Sequence, residues 1–523
     1  MRMKTNFNIK LLGIVLLMVF GSKAMAQQPP IQFFRPWDKR GINVFETSKE
    51  DTVEYTGFKF RIGAGFTQSY QNLRHENKSK AVLADGANGT YIETSHGSNS
   101  FVDRVTGAAV PGTFAVNPNV FGAYIYDPDG DPATANRSLA NANALYQMAG
   151  GFPLAQANLN FDVQLADGVR LSLVSYMSSH HHNEFWVKGG FFQIDKVGFL
   201  NSEFMNNLWK NLTLRVGHME INYGDAHYRR SDGGHTLWNP FMENNIMDAF
   251  TTEIGAELYW QKNGFIVMAA MTDGEIQGNV TRPDDRSPSI YGKIGYDKQI
   301  TEDLRVRLTG SGYTTNSSVS NTLFGGDRTG SNYQFVMDPT TATVTTAYTS
   351  GRFNPGFRDN ITAIVFNPFV KFQGLEFFGT FESVTGNTSA GNGEVKNATT
   401  GASLAAIDDR KATQTAVDLL YRFGKTENFY VGAKYNVVNS EILLGSSASN
   451  QGEVYDVSIE RTAFAAGWFI TRNVLFKAEY VTQKYTDFPA AFNNVSTPAG
   501  FQDSHPFAGG KFNGFVVQGI ISF

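Results

Sequence analysis

The sequence predicts an all-β chain, a transmembrane antiparallel β-barrel of about 16 strands. Three observations carry that expectation. Apolar and polar residues alternate strictly over one stretch after another. Short turn-forming links alternate with long polar ones. Beyond residue 26 no apolar run is long enough to cross a bilayer as a helix, so any membrane embedding must come from strands.

The chain starts with a targeting segment, residues 1–26. Arg2, Lys4 and Lys10 form a basic region, Leu11 to Phe20 an apolar run, and Ala24-Met25-Ala26 a small-x-small cleavage signal. A permanent membrane helix would need about 20 apolar residues. The expected mature chain starts at Gln27, and losing Arg2, Lys4, Lys10 and Lys23 takes the net charge from -4 to -8. That mild acidity gives no reason to expect nucleic acid. With no Cys there is no disulfide framework, no Cys-based metal site and no lipid anchor on an N-terminal Cys.

Gly57 to Tyr70 sets the pattern. Phe58, Phe60, Ile62, Ala64 and Phe66 share one face, and Lys59, Arg61, Gly63, Gly65 and Thr67 the other. A tilted membrane strand needs about 9 to 11 residues, longer than an ordinary soluble strand. The same period predicts strands near 57–71, 156–166, 168–178, 184–195, 211–223, 250–262, 264–273, 287–299, 303–315, 360–373, 375–386, 412–424, 428–440, 457–470, 473–485 and 511–523.

The links check the count. Ala166-Asp167-Gly168, Lys262-Asn263-Gly264, Gln299 to Asp303, Gln373-Gly374, Lys425 to Asn428 and Thr471-Arg472-Asn473 are tight-turn chemistry. Between them run long polar segments at 72–155, 224–249, 274–286, 316–359, 387–411, 441–456 and 486–510. Short turns face the periplasm and long loops the exterior. Two links depart from this: His180 to Asn183 is a short outer loop, and Val197 to Lys210 a long inner one with a helical turn expected over Ser202 to Trp209.

Phe523 ends the last strand, with Phe515, Val517, Gly519 and Ile521 before it at spacing two. This resembles the C-terminal signal of outer-membrane barrels, which implies that Phe523, Ile521 and Phe515 are read by the barrel insertion machinery. Trp260, Tyr421, Phe423, Trp468 and Tyr480 fall at or near strand ends on the apolar face, as an interfacial girdle would.

Charges alternate out of phase with the apolar residues. Lys59, Arg61, Arg170, Arg215, Lys293, Arg305, Arg307, Lys371, Arg422, Lys434 and Lys477 do so, as do Glu253, Glu257, Glu376, Glu382, Asp418 and Glu479. A charge facing lipid at mid-depth costs roughly 2–4 kcal/mol, so these residues should face a wet lumen. A barrel of this size is too wide for side chains alone to fill, so an aqueous pore is expected. The basic wall, represented by Lys59, Arg61, Arg215, Arg305, Arg307, Lys371 and Lys434, would favour anions.

Gly224 to Ala249 is the third outward loop, with Asp225, His227, Arg229, Arg230, Asp232, His235, Glu243 and Asp248. Here the chain resembles porins of Gram-negative bacteria, in which 16 strands carry an inward-folded third loop. Leu212 to Gly224, LTLRVGHMEINYG, is similar to a strand of the phosphate-selective porin O and P family. The inner Arg ladder and Lys cluster of a phosphate pore are not evident. The resemblance implies that Arg229, Arg230, His227 and Asp232 form a pore constriction. The competing reading is a loop on top of the barrel.

Other motifs point to little chemistry. His180-His181-His182 with Glu184 is more simply a polar tip than a metal site. Asp127-Pro128-Asp129-Gly130-Asp131 departs from the calcium-loop pattern, with Gly at the fourth position and Ser138 at the twelfth. No metal, cofactor or enzymatic reaction is expected. Residues 27–56 form a separate periplasmic N-terminal segment before the barrel of 57–523, with Pro29, Pro30 and the run Phe33-Phe34-Arg35-Pro36-Trp37. Three readings stay open for it: a disordered leader, a short plug, or a docking strip.

The expected function is a porin in the bacterial outer membrane, reached through the cleaved signal peptide. It would be a water-filled channel for passive diffusion of small polar solutes, with a lean to anions. The alternative is a structural β-barrel subunit of a larger outer-membrane complex for secretion, protein insertion or nutrient uptake. Expected partners are outer-membrane lipid and lipopolysaccharide, the insertion machinery, and either further copies of the chain or a larger envelope complex.

Overall fold

The computed structural model describes residues 28–79, 123–126, 138–141, 145–177, 186–232, 236–274, 287–316, 321–339, 342–387, 394–396, 403–406, 408–445, 452–493 and 502–523. The targeting segment 1–26, His180–His182 with Glu184, His235 and Asp127–Asp131 lie outside these residues.

Sixteen strands close into one antiparallel barrel, each paired with its neighbours in sequence. They are β1 (Lys59–Glu76), β2 (Gln156–Ala166), β3 (Val169–Met177), β4 (Trp186–Ile194), β5 (Leu212–Glu220), β6 (Thr252–Lys262), β7 (Phe265–Thr272), β8 (Ser289–Gln299), β9 (Leu304–Thr315), β10 (Asp359–Phe372), β11 (Leu375–Asn387), β12 (Arg410–Phe423), β13 (Phe429–Leu444), β14 (Glu453–Thr471), β15 (Val474–Thr486) and β16 (Lys511–Ser522). The barrel closes where β1 pairs with β16, from Gly65 opposite Ser522 to Glu76 opposite Lys511. All sixteen expected strands are present, with ends displaced by a few residues. Two-stranded ribbons pair Ala123–Tyr126 with Ser138–Asn141, Glu394–Lys396 with Ser403–Ala406, and Phe492–Asn493 with Gln502–Asp503.

Alternation follows from the pleat, which sends successive side chains to opposite faces. In β7, Phe265, Val267 and Met271 point outward while Ile266, Met268 and Ala270 point inward. Ile290, Ile294, Ile364, Phe464 and Phe515 are likewise exposed on the outside. Water would penalise such a surface, and lipid would not. Trp260, Tyr421, Phe423 and Trp468 all face out near the turns. Tyr421 meets Phe423 edge-on at 4.8 Å, and Phe423 meets Phe429 at 5.4 Å. Tyr480 also faces out but lies in mid-strand, 4.8 Å from Phe515.

The tight links behave as their residues dictate. Asn263 and Gly264 both take positive φ, 53° and 88°, the combination that lets a two-residue hairpin follow the strand twist. The longer inner link carries a short helix, α1 (Glu203–Trp209), capped by the Ser202 hydroxyl accepting from the Met205 amide.

The interior departs from an open aqueous lumen. Three segments fill it: residues 28–56, residues 221–232 with 236–251 between β5 and β6, and residues 321–339 with 342–358 between β9 and β10. The last was expected to be an outer loop, yet it folds into the barrel. Leu237, Trp238, Phe241, Met242, Ile246 and Met247 of the first inner loop pack with Leu323, Phe324, Tyr333, Val336 and Met337 of the second in one buried cluster. Each segment buries an apolar side against the other, which is why neither stays outside in water.

Candidate functional site: the filled lumen

The N-terminal segment lies across the turn end of the barrel. Lys39 donates to the carbonyl of Thr426 and the side chain of Asn428, at 2.5 and 2.6 Å. Lys49 reaches the carbonyls of Asp195 and Leu212, at 2.7 and 2.6 Å. Gln32 accepts from the Gly168 amide at 2.9 Å and donates to Asp167 at 3.0 Å. These partners sit in or beside three of the links at that end. Phe33 and Phe45 are buried there.

Two ionic clusters hold the contents to the wall, and a third holds the two inner loops to each other. In the first, Asp225 of the inner loop receives both Nε and Nη2 of Arg307, each at 2.8 Å, and Lys293 at 2.9 Å. Glu46 of the N-terminal segment meets the same two cations, at 2.8 Å from Arg307 and 3.3 Å from Lys293. Burial alone would raise both carboxyls, but Arg307 and Lys293 outweigh it. Asp225 is brought down to about 2, and Glu46 is held well below its usual range. Removing one member of such a set would strand a charge without solvent, at a cost of about 3–5 kcal/mol.

The second cluster centres on Glu376. Arg229 binds one carboxylate oxygen at 2.7 Å, and Arg422 and Asn43 bind the other at 2.9 and 2.8 Å. Asp418 lies 3.7 Å from both Arg229 and Lys434. The third is built from the two inner loops. Arg230 donates to Asp232 at 2.9 Å and to Asp248 at 2.7 and 2.8 Å. Arg352 meets Asp232, Glu243 and Asp248 at 2.9, 2.7 and 2.9 Å. Arg230 is raised well above its usual value by Asp232 and Asp248, against the penalty of burial.

The four residues expected at a constriction are all on the inner loop; Arg229, Arg230 and Asp232 are buried and His227 is half-buried. Arg229, Arg230 and Asp232 are held in ion pairs, and Arg229 also borders a small cavity of about 30 Å3. His227 shares its Nε2 with Asn222 Oδ1 at 2.8 Å; burial, then the nearby Lys293, push its pKa far down, so it is neutral. The expected wall residues all face the interior. Lys59 and Arg61 donate to the carbonyls of Pro30 and Pro29, at 2.9 and 3.3 Å. Arg215 binds Gln193 at 2.8 Å, Arg305 grips Asp297 at 2.8 and 2.9 Å, and Lys371 meets Glu427 at 2.7 Å. Much of the basic wall is therefore neutralised locally.

Phe515, Ile521 and Phe523 face outward, and the Phe523 backbone exchanges two hydrogen bonds of 3.0 Å with Ala64. Sequence reasoning missed Arg35, Asn43, Glu46 and Arg352. They lie in stretches without periodicity, and nothing local says which wall strand they will meet. Among the described residues there is no cluster of three or more His, Asp or Glu suited to a metal ion.

No family model matches the chain, and no curated protein does. Solved structures do resemble it. The outer-membrane expressed OmpT of Vibrio cholerae is 10% identical, covering 90% of this chain and 99% of its own, with a TM-score of 0.40. The outer membrane channel DcaP of Acinetobacter baumannii is 8% identical over 90% and 99%, TM-score 0.40. The anion-selective porin from Comamonas acidovorans is 12% identical over 89% and 100%, TM-score 0.43. The chain is similar to these outer-membrane proteins in forming a closed barrel; its filled interior is read from its own residues.

Proposed function

We propose that the protein is an outer-membrane channel for small polar solutes whose passage is restricted by its own interior segments. The observation that supports this best is the wall itself. An inner face carrying Lys293, Arg307, Arg422, Lys434, Glu376 and Asp418 suits water and ions, and it meets the inner loop and the N-terminal segment through ion pairs at Lys293, Arg307 and Glu376. Where a segment leaves, such a face takes up water and ions at far lower cost than an apolar one. Free diffusion through a wide pore is replaced in this reading by narrow or gated passage, with no reaction and no cofactor. Selectivity for anions is part of the proposal only where arginines lack carboxylate partners.

Planar-bilayer conductance tests it, comparing the mature chain with one lacking residues 28–56. The expected result is small steps for the mature chain and larger ones for the shortened chain. A folded barrel that gives no current in either form, and no solute uptake in liposomes, would mark a structural subunit instead.

A further inference from the structure

A cavity of about 180 Å3 lies between the N-terminal segment and one side of the wall. Its wall side is Asp162 of β2, Arg170 of β3, Phe191 of β4 and Arg215 of β5; the segment contributes Phe34, Arg35 and Trp37, and the inner loop Tyr228 and Trp238. A hydrocarbon-lined cavity of about 150 Å3 holds benzene, so the space suits a single six-membered ring with a substituent.

Three guanidinium groups face it, and among the described residues none has a carboxylate oxygen closer than 3.9 Å. Arg170 and Arg215 both donate to the same oxygen, Gln193 Oε1, each at 2.8 Å, which sets two like charges side by side. Both also lie over the Phe191 ring, at 5.7 and 5.3 Å. The Nε of Arg170 is buried and donates to nothing. Among the described residues, the acid nearest Arg215 is Glu257 at 3.9 Å, and Arg170 has none within 4.0 Å. Arg35 donates to the carbonyls of Gly41 and Tyr228, at 2.8 to 3.0 Å, and stacks on Trp238 at 3.5 Å. Burial works against its charge, pushing it down to about 9, still protonated at neutral pH.

The flat surfaces are arranged as well. Trp37 stacks on Trp238 at 5.4 Å with planes 8° apart. Two lining carboxylates limit how much negative charge fits. Asp162 accepts from Trp37 and Ser172, each at 3.0 Å, and Glu220 lies 4.0 Å from Arg230. They would repel a multiply charged phosphate more than a single carboxylate.

We propose that this cavity is a binding site for a small monoanion carrying a planar ring, with its carboxylate against Arg170 and Arg215 and its ring among Phe191, Trp37 and Tyr228. Arg35 and Trp37 make the N-terminal segment one wall of the site, so the bound anion and the seated segment stabilise each other. The inference rests on the channel reading only in treating the anion as cargo.

Calorimetric titration of the mature chain in detergent micelles tests it, with benzoate, benzyl alcohol and inorganic phosphate as probes. Saturable benzoate binding is expected, at least tenfold tighter than either other probe, and at least tenfold weaker in Arg170→Gln. Should that wall variant fail to show a folded barrel's gel mobility, Arg35→Gln, which leaves every strand untouched, must show the loss. No saturable binding, equal binding of benzyl alcohol, tighter binding of phosphate, or unaltered benzoate binding in the folded variant overturns the site. Bilayer current measured in parallel separates the two readings. Current without benzoate binding removes the site alone, whereas binding without current or liposome uptake removes the channel.

Discussion

Glu46 of the N-terminal segment and Arg307 of β9 meet at 2.8 Å with both side chains buried, and the same arginine grips Asp225 of the inner loop. One wall residue therefore ties together the two pieces that fill this part of the lumen. The segment and the loop should loosen as a unit.

Replacing Asp225 with Asn is the sharpest disturbance of that tie, because it leaves Lys293 with Glu46 alone and Arg307 with Glu46 and Asp297. The cost to the seated state should be about 3–5 kcal/mol. Limited proteolysis of the mature chain should then cut within residues 28–56 much faster than in the wild type. Equal protection would mean that the segment is held elsewhere, for example by Lys39 and Lys49.

The same pair predicts a pH dependence with a definite sign. Both folded carboxyls titrate below their unfolded values, so their contribution is fully present above pH about 4. It is lost as pH falls through the folded values, which for Asp225 means toward about 2. Protection of residues 28–56 should stay flat from pH 8 to about 5 and fall only in stronger acid. Loss of protection between pH 8 and 6 would contradict the pairing.

The arginines of the inner loop give a selectivity test. The double replacement of Arg229 and Arg230 by Ala leaves Glu376 with Arg422, Asp418 with Lys434, and Asp232 and Asp248 with Arg352. Two positive charges vanish from the interior, and the loop loses part of its hold. Single-channel current should rise, and the reversal potential in a salt gradient should move toward cations. Residual surface effects should fade between 0.1 and 1 M salt, as the Debye length shortens from about 10 to about 3 Å. An unchanged current and reversal potential would remove both residues from the conduction path.

The barrel was legible because each strand must repeat one decision at every second residue, and Phe58 to Thr67 or Phe265 to Thr272 show it without help from neighbours. The turns were legible because links such as Asn263-Gly264 need a backbone shape that few residues adopt. The contents of the lumen were not. Arg352 and Asp232 are 120 residues apart, and Asn43 and Glu376 are 333 apart. The first meeting depends on how two aperiodic segments pack against each other inside a finished barrel, and the second on where such a segment reaches a wall strand. The 224–249 loop was placed inside by resemblance, not by its own pattern. The 321–358 segment offered no comparable sign, though its Leu323, Phe324 and Tyr333-Gln334-Phe335-Val336-Met337 are more apolar than an outer loop needs.

The C-terminal strand offers an assembly test. Phe523 faces outward, and its backbone completes the seam with Ala64 through two bonds of 3.0 Å. Deleting it removes one pair at the end of a seam that keeps twelve others, from Gly65–Ser522 to Glu76–Lys511. The finished barrel should therefore be nearly as stable as the wild type, while its yield in the outer membrane drops severalfold. Heat-modified gel mobility would report the first and membrane fractionation the second. A normal membrane level would remove Phe523 as an assembly signal.

Asp338 lies in the second inner segment and is the acid there with the opposite sign. Burial pushes it up to about 7, and the Ser350 hydroxyl, which donates to its Oδ2, offsets only part of that rise. A carboxyl raised on folding stabilises fully below its unfolded value, and the contribution is lost as pH climbs through the folded one. The segment around it should therefore be tighter at pH 6 than at pH 8, the reverse of what Asp225 and Glu46 give in acid. Hydrogen exchange of residues 331–352, corrected for the intrinsic effect of pH, would measure this. His75 sits one residue away, accepting from the Met337 amide at 2.8 Å, so a pH effect alone would not identify the titrating group. Asp338→Asn makes the distinction: it should keep the protected state at pH 8 while leaving His75 in place. If the variant and the wild type lose protection alike between pH 6 and 8, the sensitivity belongs to His75 and Asp338 stays charged in the folded barrel.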